Sequence, residues 1–244
     1  MIYAYRSDKG LRKKNEDSFY VPGDGARPIV IVADGMGGHA AGEIASSKAI
    51  EKITNCVDNA VGGVSSIALL RQAMNEANRA VFELAMTDDR FSGMGTTVVM
   101  ALLEPDKYTV ANIGDSRLYH FDGRKLRRVT KDHSYVQELI SAGLITEAQA
   151  KDHPQRNLVT RAVGTSRFEK ADAGVRSWRE GDVLMLCTDG LCGSVDDTEA
   201  EAILRDEPDL LICCDKLSEL ALQNGSSDNI TVVLVKNAGV DADD

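Results

Sequence analysis

The chain has 244 residues, enough for one large domain or two small ones at roughly 150 residues each. Lys and Arg number 28 against 38 Asp and Glu, and this net charge of −10 argues against a nucleic-acid binder with a basic face and against docking on an anionic membrane. Hydrophobic residues make up 43% and charged residues 27%, as in an ordinary globular protein, but aromatics are only 5%, so the core must be built from Ala, Val, Ile and Leu.

No apolar run approaches the ~18 residues of a membrane span. The segment from Met1 to Asp8 lacks the basic start and apolar stretch of a secretory leader, so a cytoplasmic protein is expected. The cysteines Cys56, Cys187, Cys192, Cys213 and Cys214 are odd in number and make no Cys-x-x-Cys pair. They are read as reduced and mostly buried.

Taken in chain order, strands are expected over Ile2 to Arg6, Asp17 to Val21 and Pro28 to Ala33. A helix follows over Gly42 to Cys56, with Ile44, Ala45, Ala49, Ile50 and Ile53 on one face, and a second over Ser65 to Met86. Strands return over Thr96 to Leu103, Tyr108 to Ile113, Arg117 to Phe121 and Lys125 to Val129, joined by turns at Glu104-Pro105-Asp106 and Asp122-Gly123. A short helix over Ser134 to Ser141 stops at Gly143. A strand over Asp182 to Cys187, two helices within Thr198 to Leu222 broken near Pro208, and a strand over Ile230 to Val235 complete the series. Strands joined this tightly must be antiparallel, since a parallel pair needs a long crossover. The pattern is α+β, without repeats or linkers: a single domain over residues 1–238 with an acidic tail at 239–244.

Acidic residues recur beside glycine at strand ends. The run Ile29 to Ala33 leads into Asp34-Gly35, Leu184 to Thr188 into Asp189-Gly190, and Ala111 to Ile113 into Gly114-Asp115. Asp228-Asn229 and Asn15-Glu16-Asp17 each precede a strand. A single Asp-Gly pair marks a turn, as Asp122-Gly123 does. Several at the ends of strongly apolar strands are different: carboxylates brought together repel unless a proton or cation lies between them. Carboxylates with a glycine carbonyl are hard oxygen ligands suited to Mg²⁺ or Mn²⁺. Gly35 to Ala40 also fits the G-x-G-x-x-A dinucleotide loop, with Asp58 at the ribose distance. Against that, Asp58 follows a helix, and Asp34 would repel a pyrophosphate.

In this order the motifs resemble those of the metal-dependent Ser/Thr protein phosphatases of the type 2C class, in their compact bacterial form. They are Ser7-Asp8-Lys9-Gly10 with Arg12 to Ser18, Asp34 to Glu43, Ser92 to Thr97, Gly114 to Arg117, His153 to Asn157 through Thr160 to Gly164, Cys187 to Leu191 and Ser227 to Thr231. The resemblance implies an αββα sandwich of two antiparallel sheets flanked by helix pairs, with two metal ions at one end. It implies that Asp34 bridges two Mn²⁺ or Mg²⁺ ions, that Glu16 and the Gly35 carbonyl serve one with Asp17 holding its water, and that Asp189 and Asp228 bind the other. Asp115 with Asp189 matches a weaker third site. Arg12 would hold the substrate phosphate, and residues 143–168 would form a flap.

The implied reaction is hydrolysis of phosphoserine and phosphothreonine in proteins by a metal-activated water. It would reverse a bacterial Ser/Thr protein kinase, with no phospho-enzyme. Members that carry a His after the Asp-Gly use it as a proposed acid; here that position is Met36, and His39 is the nearby candidate proton donor. The alternative is a catalytically inactive phosphoprotein-binding relative, a class that usually lacks one or more of the carboxylates. A monomer is expected, with no nucleic acid or membrane as partner.

Overall fold

A computed structural model describes residues 1–37 and 41–239. One sheet holds β1 (Ile2–Asp8), β7 (Arg117–Phe121), β8 (Leu126–Arg128), β10 (Val183–Cys187) and β11 (Ile230–Lys236), in the order β1-β11-β10-β7-β8. The other holds β2 (Asp17–Tyr20), β3 (Ile29–Met36), β5 (Val98–Leu103), β6 (Lys107–Ile113) and β9 (Asp172–Ser177), in the order β2-β3-β5-β6-β9, with β4 (Gly95–Thr96) against the end of β3. Every pairing is antiparallel.

Side-chain alternation makes the four layers. On β3, Ile29, Ile31 and Ala33 face α1 (Ala41–Asp58) and α2 (Ser66–Ala85), while Val30 and Val32 face the opposite sheet. On β11, Ile230, Val232 and Leu234 pack toward α5 (Asp189–Cys192), α6 (Asp197–Asp206) and α7 (Leu210–Gln223), while Val233 and Val235 meet the Val30 row of the opposite sheet. The central strands β3, β5, β10 and β11 are buried on both faces and therefore read as continuous apolar runs. The αββα sandwich is the one expected. Among the described residues no helix is long and apolar enough to cross a membrane, and all five cysteines are unpaired.

The structure corrects several element boundaries. The strand expected over Thr96 to Leu103 is interrupted at Thr97, where the chain passes from pairing with Gly35-Met36 to pairing with β3 proper. The strand expected to end at Ala33 continues to Met36, because Gly35 and Met36 gain partners in Thr96 and Gly95. Asp34 is thus inside the strand, not after it. Asp189 opens the short α5 instead of sitting in a turn. β9 was not expected: mostly exposed, it has no apolar alternation and is held as an edge strand by backbone pairing with β6. Between α3 (Tyr135–Ser141) and β9 the chain also forms α4 (Glu147–Lys151), capped by Thr146 and Gln149.

Candidate metal centre

The apolar row between the sheets ends in carboxylates. Asp34 has the same parity as Val30 and Val32 on β3, and Asp17 pairs with it across β2. Alternation that buries valines in mid-sandwich therefore aims two acids into its end. Asp189 enters from β10 through Thr188, Asp115 from the loop after β6, and Asp228 from the loop before β11.

Each acid sits on a hydrogen-bonded frame. The Thr188 hydroxyl donates to Asp17 Oδ2 at 3.0 Å and accepts from the Thr231 backbone N–H at 3.0 Å. The Asp34 N–H donates to Thr97 Oγ1 at 3.1 Å, and Thr97 Oγ1 lies 2.6 Å from Ser116 Oγ, tying the Asp115 loop to β3. Gly114 makes this possible: its φ is +104°, and a Cβ there would stand 2.5 Å from the Thr97 Cβ. The Asn229 side chain accepts from the Glu16 N–H at 2.8 Å and donates to the Lys9 and Lys14 carbonyls, both at 2.8 Å. A Cβ on Gly190 would lie 1.9 Å from the Asn229 carbonyl oxygen, so only glycine lets α5 approach the Asp228-Asn229 loop. Ser46 of α1 donates to the Glu16 carbonyl at 2.7 Å.

The electrostatics are unbalanced. Burial pushes Asp17 up to about 7, with Asp189 and Asp228 adding repulsion. Asp115 is pushed up to about 7 by burial and then by Asp189. Asp34 is driven well above the usual carboxylate range by burial and then by Asp17, Asp189, Asp115 and Asp228. Asp189 is raised by burial and by Asp228, and Glu16 by burial. Against these stands Arg12, whose Nη2 donates to Asp228 Oδ2 at 2.7 Å at the exposed rim.

A divalent cation fits this chemistry. Asp17 Oδ1 and Asp189 Oδ1 are buried without any hydrogen-bond partner, which is costly for a carboxylate oxygen unless something positive meets it. A groove of about 380 Å³, lined by Ser7, Asn15, Asp17, Ser18, Phe19, Ser47 and Ile50, reaches Asp17. The acids converge without closing: among the described residues, no three acidic, His or Cys side chains already surround a single point as a metal cage.

Of the residues singled out in the sequence, Asp17, Asp34, Asp115, Asp189 and Asp228 share one electrostatic cluster. Glu16 lies at its edge within the influence of Arg12 and Asp228, and Gly35 is the next residue on β3. His39 lies outside the described residues. Asp58 closes α1 and ends no second strand, as the dinucleotide loop would require. Of the other histidines, His120 is tied into the structure, its Nε2 2.9 Å from Asp182 Oδ2. His133 Nδ1 accepts from the Gly114 N–H at 3.1 Å, bracing the Asp115 loop. Sequence reasoning gave no role to Asn229, Thr188, Thr97, Ser116 or Ser46. The first four lie in motifs already singled out, and only that adjacency could have flagged them.

Residues 8–225 match the family described as Protein phosphatase 2C. The serine/threonine phosphatase stp of Listeria monocytogenes is 37% identical over 241 residues, covering 97% of this chain and 96% of that protein. The serine/threonine protein phosphatase PstP of Mycobacterium tuberculosis is 41% identical over 234 residues, covering 95% of this chain and 44% of that longer protein. The crystal structure of PstP/Ppp superposes with a TM-score of 0.88 at 39% identity, over 96% of this chain and 97% of that one. The PstP catalytic domain in complex with two manganese ions gives 0.85 at 37% identity, over 96% and 97%.

Proposed function

The chain belongs to the protein phosphatase 2C family, and from that premise we propose that it hydrolyses phosphoserine and phosphothreonine in proteins at a two-metal centre built on Asp34. The observation that carries this reading is the buried, uncompensated carboxylate cluster with its two unpartnered oxygens.

Asp34 is the residue to be shared by two ions. Glu16 and the Gly35 carbonyl, with Asp17 through water, would serve one; Asp189 and Asp228 would serve the other. Asp115, beside Asp189, is the candidate for a third. Mn²⁺ and Mg²⁺ both suit an all-oxygen donor set. When bound, such ions supply Lewis acidity, which lowers the pKa of water toward neutrality and compensates phosphoryl charge.

The chain's own groups do the rest. Thr188 engages one oxygen of Asp17 and leaves Oδ1 pointing into the cluster, so the carboxylate is oriented before any ligand arrives. Arg12 stands 2.7 Å from Asp228 at the rim through one hydrogen bond, and its guanidinium can move from that carboxylate to phosphoryl oxygens, which it is shaped to meet in a bidentate fork. No side-chain nucleophile is required: Cys187 is buried with its thiol pushed up, first by contact with Cys192 and then by burial, the reverse of an activated thiolate. The protein opponent is a Ser/Thr protein kinase, and a cytoplasmic monomer is the form that the composition favours.

Phosphate release from a phosphothreonine peptide tests this, with Mn²⁺ or with EDTA, for wild type and Asp189→Ala. Turnover that needs metal and is lost in the variant supports the reading. Absence of turnover on several phosphopeptides in either Mn²⁺ or Mg²⁺ overturns it in favour of the inactive, phosphoprotein-binding alternative.

A further inference from the structure

A second groove lies away from the carboxylates. It has a volume of about 900 Å³ and runs along the outer face of α2 to Arg167 and Phe168. The buried face of α2 carries Leu70, Ala73, Met74, Ala77 and Val81. On the opposite side Arg71, Asn75, Arg79 and Phe82 recur at helical spacing and form one exposed stripe. Phe168 stands at its end with 68% of its surface exposed.

Three guanidinium groups gather in this groove. Arg12, Arg90, Arg117, Arg127, Arg128 and Arg161 are all ion-paired. Arg71, Arg79 and Arg167 have no carboxylate within 4.0 Å among the described residues. Glu76 and Glu83 also line the groove and keep their charge, Glu76 accepting from the Gln72 amide at 3.0 Å. Three guanidinium groups, two glutamates and two phenyl rings leave the groove with a local excess of one positive charge, on a chain of net charge −10.

The groove is tied to the metal centre by hydrogen bonds. The buried Asn78 of α2 accepts from the Gly164 N–H at 2.8 Å and donates to the Ser166 carbonyl at 3.1 Å, fixing the segment that carries Arg167. Val163 exchanges backbone hydrogen bonds with Thr96 at 2.8 and 2.9 Å, and Thr96 Oγ1 donates to the Asp34 carbonyl at 2.8 Å. Four residues of chain and two strand contacts put Arg167 at most about 25 Å from Asp34, a span that about eight extended residues cover.

We propose that this groove docks an acidic, extended segment of the phosphoprotein substrate, about eight residues from the phosphorylated side chain. The inference rests on the phosphatase reading. Arg71 and Arg79 are about 12 Å apart along the helix, which matches two acidic side chains four residues apart on one face of an extended peptide at about 13 Å. Phe82 and Phe168 take an apolar side chain between them, and Asn75 is placed to meet the peptide backbone.

Two measurements test it on the whole chain. First, a fluorescein-labelled peptide with two Glu about four residues apart and a central Leu is titrated by anisotropy, without metal, against wild type, Arg71→Gln/Arg79→Gln and Arg71→Glu/Arg79→Glu. Wild type binds, the Gln pair binds at least about 10-fold more weakly, and the Glu pair does not bind; circular dichroism melts confirm that each variant folds. Second, kinetics compare a phosphothreonine peptide carrying the acidic segment, the same peptide with Gln for Glu, and p-nitrophenyl phosphate. The Arg71→Gln/Arg79→Gln variant raises KM about 10-fold for the acidic substrate alone and leaves kcat and the other two substrates unchanged. Equal binding by wild type and variants, or a KM that ignores the acidic segment, overturns the proposal. If wild type binds the peptide but hydrolyses no ester, the phosphatase reading fails and with it the assignment of the occupant as substrate.

Discussion

Charge is buried in two neighbouring places, and the two are built in opposite ways. Beneath β7, Asp132 receives Arg117 at 2.8 Å and Arg128 at 2.9 Å, so the carboxylate is enclosed by cations from the chain itself. A few residues away, Asp17, Asp34, Asp115, Asp189 and Asp228 crowd together with Arg12 as their one ion-pair partner, at the rim. The first cluster is complete as folded, and its role is to hold β7 and the loop after β8. The second is complete only with something the sequence does not encode, and its instability without that addition is the structural sign of function. Arg117 links them, since it also eases the charge on Asp115 and Asp189.

The largest expected effect falls on the balanced cluster. Asp132→Ala leaves two half-buried guanidinium groups without their shared counter-charge and costs about 3 kcal/mol. Urea unfolding should show this loss equally with and without Mn²⁺; a loss confined to the metal-bound protein would mean that the clusters are not separate. Next, Asp34→Asn should lower kcat/KM by at least about 10²-fold, beyond the effect of most outer-shell changes. The same variant should stabilise the metal-free protein at pH 8 by about 0.5–2 kcal/mol, because one repelling charge is gone. Activity lost without that gain would argue that Asp34 is compensated as Asp132 is. Arg12→Ala should reduce kcat/KM by about 10- to 100-fold, the value of a hydrogen bond to a charged group, with little change in urea midpoint.

The smallest effect is a pH dependence that only the unbalanced cluster can produce. Asp17 and Asp115 titrate near 7 in the folded chain against an ordinary 3.8. Below about pH 4 both folded and unfolded forms are protonated and these groups contribute no difference. As pH rises through that range the unfolded chain ionises first, so stability is lost progressively until about pH 7. The metal-free protein should therefore melt about 4 °C or more lower at pH 8 than at pH 5, and Mn²⁺ should raise the melting temperature more at pH 8 than at pH 5. Identical metal-induced shifts at both pH values would sink the idea that ions replace protons here.

Much of the carboxylate centre was legible because two signals coincide: a strongly apolar strand and an Asp beside Gly where that strand meets the edge of the core. Asp34 and Asp189 satisfied both. The frame holding them was not legible. Asn229 joins Glu16, Lys9 and Lys14 across more than two hundred residues of sequence, and no local pattern records such a bond. β9 was missed for a different reason: an exposed edge strand is specified by the backbone of its neighbour, not by its own side chains. The stripe on α2 was hidden as well. Arg71 and Arg79 sit at positions that any solvent-facing helix fills with charge, and only the fold shows that they share one groove with Arg167.

The place of β11 in the sheet has a consequence for the chain as it is made. β11 lies between β1 and β10, so one of the earliest segments to leave the ribosome has no sheet partner until one of the last appears. The layer of β2 to β6 with α1 and α2 can assemble early, but Asp228 and the Thr188–Thr231 link arrive only with the final strand. A growing chain released short of residue 236 would hold Asp17 and Asp34 side by side with no frame to join them to Asp228. The carboxylate centre would thus be completed only after residue 236 has been made.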